Sequence, residues 1–372
     1  YCAVPLGFFK ANTDDLPLRA VMRTFLIRYA HLPRLVNTPG GRGGFVFNLH
    51  ICGGTYLKPL RTMLGREVFS PETPFSIHIT AGPDCNWPGD RLGFDASNPL
   101  KGQPLVDALK QYGYIGSHGG WIHNHFAFNA EKMPRRQALD YLARNFTTLE
   151  DLTGERIVEY SSPGGVHPPW LNAWLEEHGV VAYYHPGDTG SSPTHPRFRG
   201  ESYSQAMWAF PISSCDRYAS LEDLYRGRVP QDEAAAWLRD LVDFAIRERV
   251  IRTFYTHPSA NPYNLGLLEK LAADLRAAVA AERLTVAPMS TFAAFLDRYL
   301  QTSWSVRHAA DRYLLELKNP RGLQDITAAV YVGPERRYRV LATGVRVEEQ
   351  DGWVYVTVTD QEAAKRIVVR YY

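Results

Sequence analysis

The chain has 372 residues, 45% of them hydrophobic and 22% charged, with a formal net charge of +2 at pH 7. These values are typical of a globular protein large enough for more than one domain, and they give no reason to expect nucleic-acid binding. No apolar stretch reaches membrane-spanning length, and no signal peptide is visible at Tyr1. Cys2, Cys52, Cys85 and Cys215 are too few and too scattered to indicate a disulfide scaffold.

In chain order, residues 1–44 form an entry segment with a predicted helix over 16–29 and a glycine-rich turn over 39–44. Short apolar runs and amphipathic stretches then alternate. The runs predict strands at 45–52, 75–80, 112–115, 156–160, 180–184, 207–212, 252–255 and 284–288. The stretches predict helices at 56–64, 105–111, 135–149, 169–178, 231–249 and 265–281, with a closing helix from Ser290. Because Gly, Pro, His and Asp collect after the strands, this order indicates a parallel (β/α) barrel.

Beyond residue 299 the pattern changes to short alternating stretches separated by turn residues. These stretches, at 313–317, 328–332, 338–341, 353–358 and 366–369, predict a small antiparallel β-sandwich. The predicted domains are therefore an entry segment over 1–44, a barrel over 45–304 and a C-terminal sandwich over 305–372. We expect an apolar contact with the barrel through Trp304 and Tyr313. The sandwich either covers one end of the barrel or binds carbohydrate.

Three histidines follow the third predicted strand within residues 116–125. His118 and His123 are separated by a pair of glycines that allows a sharp turn, so both imidazoles can converge on one divalent ion. His125 is a less favoured partner, because a two-residue step points side chains apart in extended backbone. A surface loop of solvated histidines is the alternative. The position after a strand favours a metal site, with zinc as the expected ion.

The order of these strand-end motifs resembles that of the polysaccharide deacetylase superfamily (NodB homology, carbohydrate esterase family 4), over roughly residues 45 to 300. The resemblance implies a distorted parallel (β/α)7 barrel in which His118 and His123 bind the metal, although their spacing is one residue longer than usual. It also implies that His257, in the segment that resembles the Leu-x-His motif, is the general acid. Asp188 would orient His257. A third motif, Arg-x-Pro, resembles the segment that ends at Pro163.

This chain departs from that pattern where the family has Thr-Phe-Asp-Asp-Gly, a motif whose carboxylates serve as the catalytic base and as a metal ligand. The aligned segment is Leu49-His50-Ile51-Cys52-Gly53, and the arginine of the third motif is replaced by Ser161. Asp84 is the preferred third ligand and proton acceptor, because it follows a Gly-Pro turn and would stay ionised beside an ion. Cys52 is the other choice for the ligand, followed by His50, unless Cys52 pairs with Cys85 in a disulfide.

The expected function is metal-dependent removal of N- or O-acetyl groups from an acetylated polysaccharide or amino-sugar oligomer, at the cell surface, in the periplasm or outside the cell. Asp84 would take a proton from water and His257 would protonate the leaving amine. The expected substrate-binding residues are Trp121, Pro163, Trp170 and Trp208. Two alternatives stay open: a deacetylase-like barrel that binds polysaccharide without cleaving it, and a glycosidase that uses Glu159 and Glu201.

Overall fold

The computed structural model describes residues 16–185, 192–198, 201–202 and 204–372. Its strands are β1 Arg34–Val36, β2 Gly43–Ile51, β3 Phe75–Ile79, β4 Gly113–His118, β5 Glu159–Ser161, β6 Ala182–His185, β7 Arg197–Phe198, β8 Glu201–Ser202, β9 Trp208–Pro211, β10 Ile251–Thr256, β11 Leu284–Val286, β12 Ser303–Ala309, β13 Arg312–Lys318, β14 Thr327–Tyr331, β15 Tyr338–Leu341, β16 Val345–Gln350, β17 Trp353–Val358 and β18 Ala364–Tyr371. Its α-helices are α1 Leu16–Thr24, α2 Leu57–Leu64, α3 Gln103–Leu109, α4 His123–Asn129, α5 Arg135–Thr153, α6 Pro169–Glu177, α7 Leu221–Arg226, α8 Gln231–Glu248, α9 Pro262–Ala280 and α10 Met289–Leu300.

Seven parallel strands form the larger sheet, in the order β10-β2-β3-β4-β5-β6-β9, and β11 also pairs with β2. Ile212, directly after β9, forms a parallel bridge with Thr253 of β10, so the two ends of the sheet meet and the barrel is nearly closed. Strand β2 is buried along its whole length, as expected for a parallel strand that is covered on both faces. The predicted distorted parallel (β/α)7 barrel is therefore confirmed.

The helices around this sheet follow local rules that the sequence displays. On α8, Leu238 and Val242 lie four residues apart and are both buried, which is the spacing of one helix face. Helix α9 begins where the side chain of Asn261 accepts a hydrogen bond from the backbone of Asn264 at 2.8 Å, with Pro262 in the first turn. Within the described ranges, no helix is long and apolar enough to cross a membrane.

The chain is divided into two compact units, and the described residues within 44–246 and 251–293 form the barrel unit. Among the described residues, the other unit comprises 16–43, 247–250 and 294–372 and contains two four-stranded antiparallel sheets. Leu315 from one sheet and Val330 and Val356 from the other lie in one buried cluster, so the two sheets form the predicted β-sandwich. Tyr313 belongs to this core, whereas Trp304 is 38% exposed.

Strand β1 joins this sandwich from the N-terminal side of the chain. It pairs with β14 in antiparallel register, with Leu35 opposite Ala328. Arg249, from the short segment 247–250, forms an ion pair with Glu348 at 3.1 Å and lies 3.7 Å from the ring centre of Tyr355. The sandwich is thus assembled from three separate stretches of sequence.

Candidate functional site

The carboxyl ends of β2 and β4 bring together Cys52, His118 and His123. Cys52 directly follows β2, His118 is the last residue of β4, and His123 is the first residue of α4. The Cys52 sulfur and one ring nitrogen from each histidine all lie within 4.8 Å of one another. Gly119 has a φ of 68°, and a Cβ there would approach Pro163 Cγ to 2.3 Å, so the turn between the histidines requires glycine.

Hydrogen bonds fix the orientation of both imidazoles. His118 Nδ1 is hydrogen-bonded to Ser161 Oγ at 2.7 Å, and His123 Nδ1 is hydrogen-bonded to Asn124 Oδ1 at 2.7 Å. The Nε2 atoms therefore face the centre of the cluster, 2.9 Å from each other. Two nitrogen lone pairs at this distance repel unless a proton or a cation lies between them. Histidine ligands of metals are typically oriented in this way, through a hydrogen bond from the other ring nitrogen.

The electrostatics of the cluster give Cys52 and His118 the protonation states that metal binding requires. Burial raises the pKa of the Cys52 thiol, but the imidazoles of His123, His257 and His118 outweigh burial and hold that pKa well below its ordinary value. Burial lowers the pKa of His118 to about 4, although the Cys52 thiolate opposes the change. A thiolate beside a neutral imidazole is the form in which these side chains bind zinc. Burial lowers the pKa of His123, but the Cys52 thiolate outweighs it and raises that pKa, so a bound ion would displace the His123 proton.

His257 follows β10 and is paired with a carboxylate that the sequence analysis did not identify. Its Nδ1 lies 3.4 Å from Oε2 of Glu222 on α7, and Thr256 Oγ1 donates to the same oxygen at 3.3 Å. Burial lowers the pKa of His257, but the Cys52 thiolate and the Glu222 carboxylate outweigh it and raise that pKa to about 10. His257 therefore holds a proton next to the thiolate. Asp188, which the resemblance placed in the orienting role, lies outside the described residues.

Asp84 is not part of this cluster of donors. Its two carboxylate oxygens accept hydrogen bonds from the backbone of Gly89 at 2.8 Å and of Arg91 at 2.9 Å, within the loop that follows β3. Cys52 and Cys85 are both free thiols, and Cys85 Sγ lies 3.8 Å from the carbonyl oxygen of Cys52. The structure thus places Cys52, rather than Asp84, beside the two histidines.

His50 lies directly below the cluster of donors, inside the barrel. Its ring centre is 4.3 Å from that of His118, and its Nδ1 lies 3.2 Å from the hydroxyl of Tyr184. Its Nε2 is buried and has no hydrogen-bond partner among the described residues. Burial, followed by the neighbouring His118, lowers the pKa of His50 well below its ordinary value, so the ring is neutral.

A second buried pair lies deeper in the barrel, between His78 of β3 and Glu159 of β5. His78 Nε2 is 3.2 Å from Glu159 Oε2, and neither side chain is exposed. The backbone and hydroxyl groups of Ser290 donate to the other oxygen of Glu159 at 2.7 and 2.6 Å. Gly116 of β4 leaves room for the pair, because a Cβ there would approach His78 Cδ2 to 2.5 Å. Glu159 is thus held in structural contacts.

The predicted substrate-binding residues lie in different environments. Trp121 and Trp170 are partly exposed, and an arginine guanidinium lies over each ring, at 4.9 and 5.6 Å from its centre. Pro163 is buried next to the histidine turn. Trp208 is only 4% exposed and packs against the ring of His195, so it offers a ligand little surface.

No protein-family model and no curated protein sequence matches this chain. Among solved structures, a probable polysaccharide deacetylase from Pseudomonas aeruginosa PAO1 is 15% identical, with a TM-score of 0.54 over 73% of this chain and 97% of its own. A protein designated a polysaccharide deacetylase from Mycobacterium smegmatis is 14% identical, with a TM-score of 0.50 over 70% and 92%. Puue allantoinase is 15% identical, with a TM-score of 0.51 over 73% and 95%. At these identities the similarity establishes the fold, and the chain has the (β/α)7 barrel fold of the polysaccharide deacetylases, as a divergent example.

Proposed function

We propose that this chain is a metal-dependent hydrolase that removes acetyl groups from an acetylated polysaccharide or amino-sugar oligomer. The observation that carries the proposal is the convergence of Cys52, His118 and His123, with His257 paired to Glu222 nearby. One thiolate and two imidazoles are ligands that zinc accepts, and three protein ligands are typical of a catalytic zinc site. The deacetylase fold supports the same reaction. A substrate of this class would place the protein at the cell surface, in the periplasm or outside the cell.

Each residue of the site has a distinct role in this proposal. Cys52, His118 and His123 would hold the ion, which when bound supplies Lewis acidity toward the acetyl carbonyl and toward water. His257 donates its proton to the leaving nitrogen of an N-acetyl group, or to the leaving oxygen of an O-acetyl group. The proton that the attacking water releases is the one that restores the protonated form of His257. Glu222 holds the ring of His257 and stabilises its charge.

We assign the third ligand to Cys52 in preference to Asp84. Cys52 is already next to both histidines, whereas either oxygen of Asp84 would have to give up a backbone hydrogen bond to bind an ion. To accept the water proton, Asp84 would likewise have to give up one of these backbone hydrogen bonds. Substitution of Asp84 by Asn should therefore leave metal affinity unchanged, and substitution of Cys52 by Ser should weaken it.

Metal analysis of the purified protein after loading with zinc tests the ligand set. His118→Ala and His123→Ala should each abolish bound zinc, because two remaining protein ligands fall short of a catalytic zinc site. His125→Ala is the matched control, since it removes an imidazole from the same segment without touching the cluster of donors. Full zinc stoichiometry in both His118→Ala and His123→Ala would contradict the proposed site.

Acetate release from N-acetyl and O-acetyl oligosaccharides tests the reaction. His257→Ala should retain zinc and lower the rate by about a hundredfold or more, the usual contribution of a general acid. Zinc-loaded wild-type protein that releases no acetate from either substrate would favour a barrel that only binds polysaccharide. New reducing ends without acetate would indicate a glycosidase. Of its two candidate carboxylates, Glu159 is engaged in structural contacts, and the side chain of Glu201 lies outside the described residues.

A further inference from the structure

The sandwich unit contains a cavity of about 540 Å³ that is separate from the cluster of metal donors. Its walls come from residues 30–33 and from the strands and turns of the two antiparallel sheets. Cavities of about 300–1,000 Å³ are the usual size of small-molecule sites in proteins. The volume therefore fits a ligand of one or two sugar rings.

Aromatic rings that are fixed by their neighbours line this cavity. The ring of His31 stacks on that of Tyr331, with centres 3.6 Å apart, and the ring of His308 stacks on that of Tyr313, with centres 4.3 Å apart. Tyr371 is hydrogen-bonded to His308 Nε2 at 2.6 Å, and the Tyr313 hydroxyl donates to the carbonyl of Tyr331 at 2.9 Å. Because these contacts already hold the rings, little side-chain entropy is lost when a ligand binds.

The charge at the cavity wall is positive. Arg336 lies at its wall, with its guanidinium 5.0 Å from the ring centre of Tyr371. No acidic side chain lines the cavity, and none of the described acidic residues forms an ion pair with Arg336. The planar guanidinium fork matches a carboxylate, to which it donates two parallel hydrogen bonds.

We propose that this cavity is a second binding site, which takes a carboxylate-bearing sugar such as a uronic acid. The carboxylate pairs with Arg336, and the sugar ring lies against the aromatic walls formed by His31, Tyr331 and His308. The choice of a saccharide rests on the proposed function, whereas the preference for an anion rests on the cavity alone. The site would hold an acidic polysaccharide to the protein independently of deacetylation.

Calorimetric titration with two unacetylated probes tests the proposal without any turnover. A galacturonic acid oligomer should bind the zinc-loaded wild-type protein, and a neutral galactose oligomer of the same length should bind at least tenfold more weakly. Arg336→Gln should lower the affinity for the acidic oligomer by about tenfold or more, because a hydrogen bond to a charged group is lost. Arg339→Gln is the matched control, since Arg339 is an exposed arginine outside the cavity.

Three results would overturn the proposal: equal binding of both oligomers, no binding of the acidic one, or an equal loss of affinity in both arginine variants. Arg336 is exposed, so its substitution should leave the sandwich folded, and a thermal melt of each variant checks this. Loss of acetate release with intact binding would count against the proposed reaction only. Intact acetate release without binding would count against this cavity only.

Discussion

Glu222 is the second anion, after the Cys52 thiolate, that raises the pKa of His257, and its removal should alter the pH dependence of the reaction. Because the Cys52 thiolate and then Glu222 raise the pKa of His257 against burial, the imidazolium persists to higher pH and is lost as the pH rises through that pKa. In Glu222→Gln the pKa falls, so the alkaline limb of kcat/KM for acetate release should move to lower pH. Asp223→Asn, a change on the same helix, should leave that limb in place. If the alkaline limb of Glu222→Gln were unchanged, Glu222 would not control the protonation of His257.

Of the three described cysteines, Cys52 should have the most reactive thiol in the metal-free protein, although it is only 8% exposed. Its pKa is held below the ordinary value by the surrounding imidazoles, whereas burial and the Cys52 charge raise the pKa of Cys85 to about 11. Since the thiolate is the nucleophile, iodoacetamide near neutral pH should alkylate Cys52 before Cys85, and bound zinc should protect Cys52. Peptide mass spectrometry measures both. Equal modification of Cys52 with and without zinc would remove it from the ligand set.

At the scale of single strands, the close packing of β3, β4 and β5 depends on Gly116. A methyl group there would meet the ring of His78 and disturb its buried pair with Glu159. Gly116→Ala should therefore lower the free energy of unfolding by about 1–3 kcal/mol, the usual cost of overpacking a core. Gly65→Ala is the control, because its new Cβ would make only ordinary contacts. Urea unfolding curves with equal midpoints for both variants would refute the prediction.

Long buried runs made most barrel strands predictable. The elements that the predictions missed include the short β1 and α7 and also the sandwich strands β12 and β16, which are not fully buried at any residue. The predicted strand over 45–52 differs from β2 by two residues at its start and one at its end, because its continuous apolar pattern is strong. Strand β1 has three residues and a partner far away in sequence, so no local pattern marks it. Helix α7 has six residues and is too short for a periodic signal, although Ser220 accepts a hydrogen bond from the backbone of Asp223 as an N-cap.

The same reasons explain which site residues the sequence could supply. His118 and His123 were identifiable because they lie at the end of one strand and shortly after it, with a glycine turn between them. Cys52 stood in the place of a family carboxylate, but sequence gave no means to rank it above Asp84, whose loop contacts are visible only in three dimensions. Glu222 reaches His257 from a helix 35 residues earlier, and no spacing rule connects the two.

At the scale of the whole molecule, the stability of the sandwich should depend on Leu35, which is far in sequence from most of the sandwich strands. Leu35 is buried in the same cluster as the strands of both sheets, although it belongs to β1. Leu35→Ala should lower the free energy of unfolding of this unit by about 2 kcal/mol or more and speed hydrogen exchange in β14. Leu341→Ala, at a position that is 42% exposed, is the control. Unchanged exchange in Leu35→Ala would show that β14 does not need its β1 neighbour.

The pairing of β1 with β14 also sets the order in which the chain assembles as it is made. Leu35 is synthesised about 290 residues before its partner Ala328. At ribosomal speeds of about 5–20 residues per second, β1 waits roughly 15–60 s for the strand it pairs with. All strands of the barrel are translated within that interval. The barrel can therefore close first, while the backbone of β1 still lacks its partner strand. The sandwich closes last, and a nascent chain that stops before residue 327 should leave residues 34–36 open to proteases.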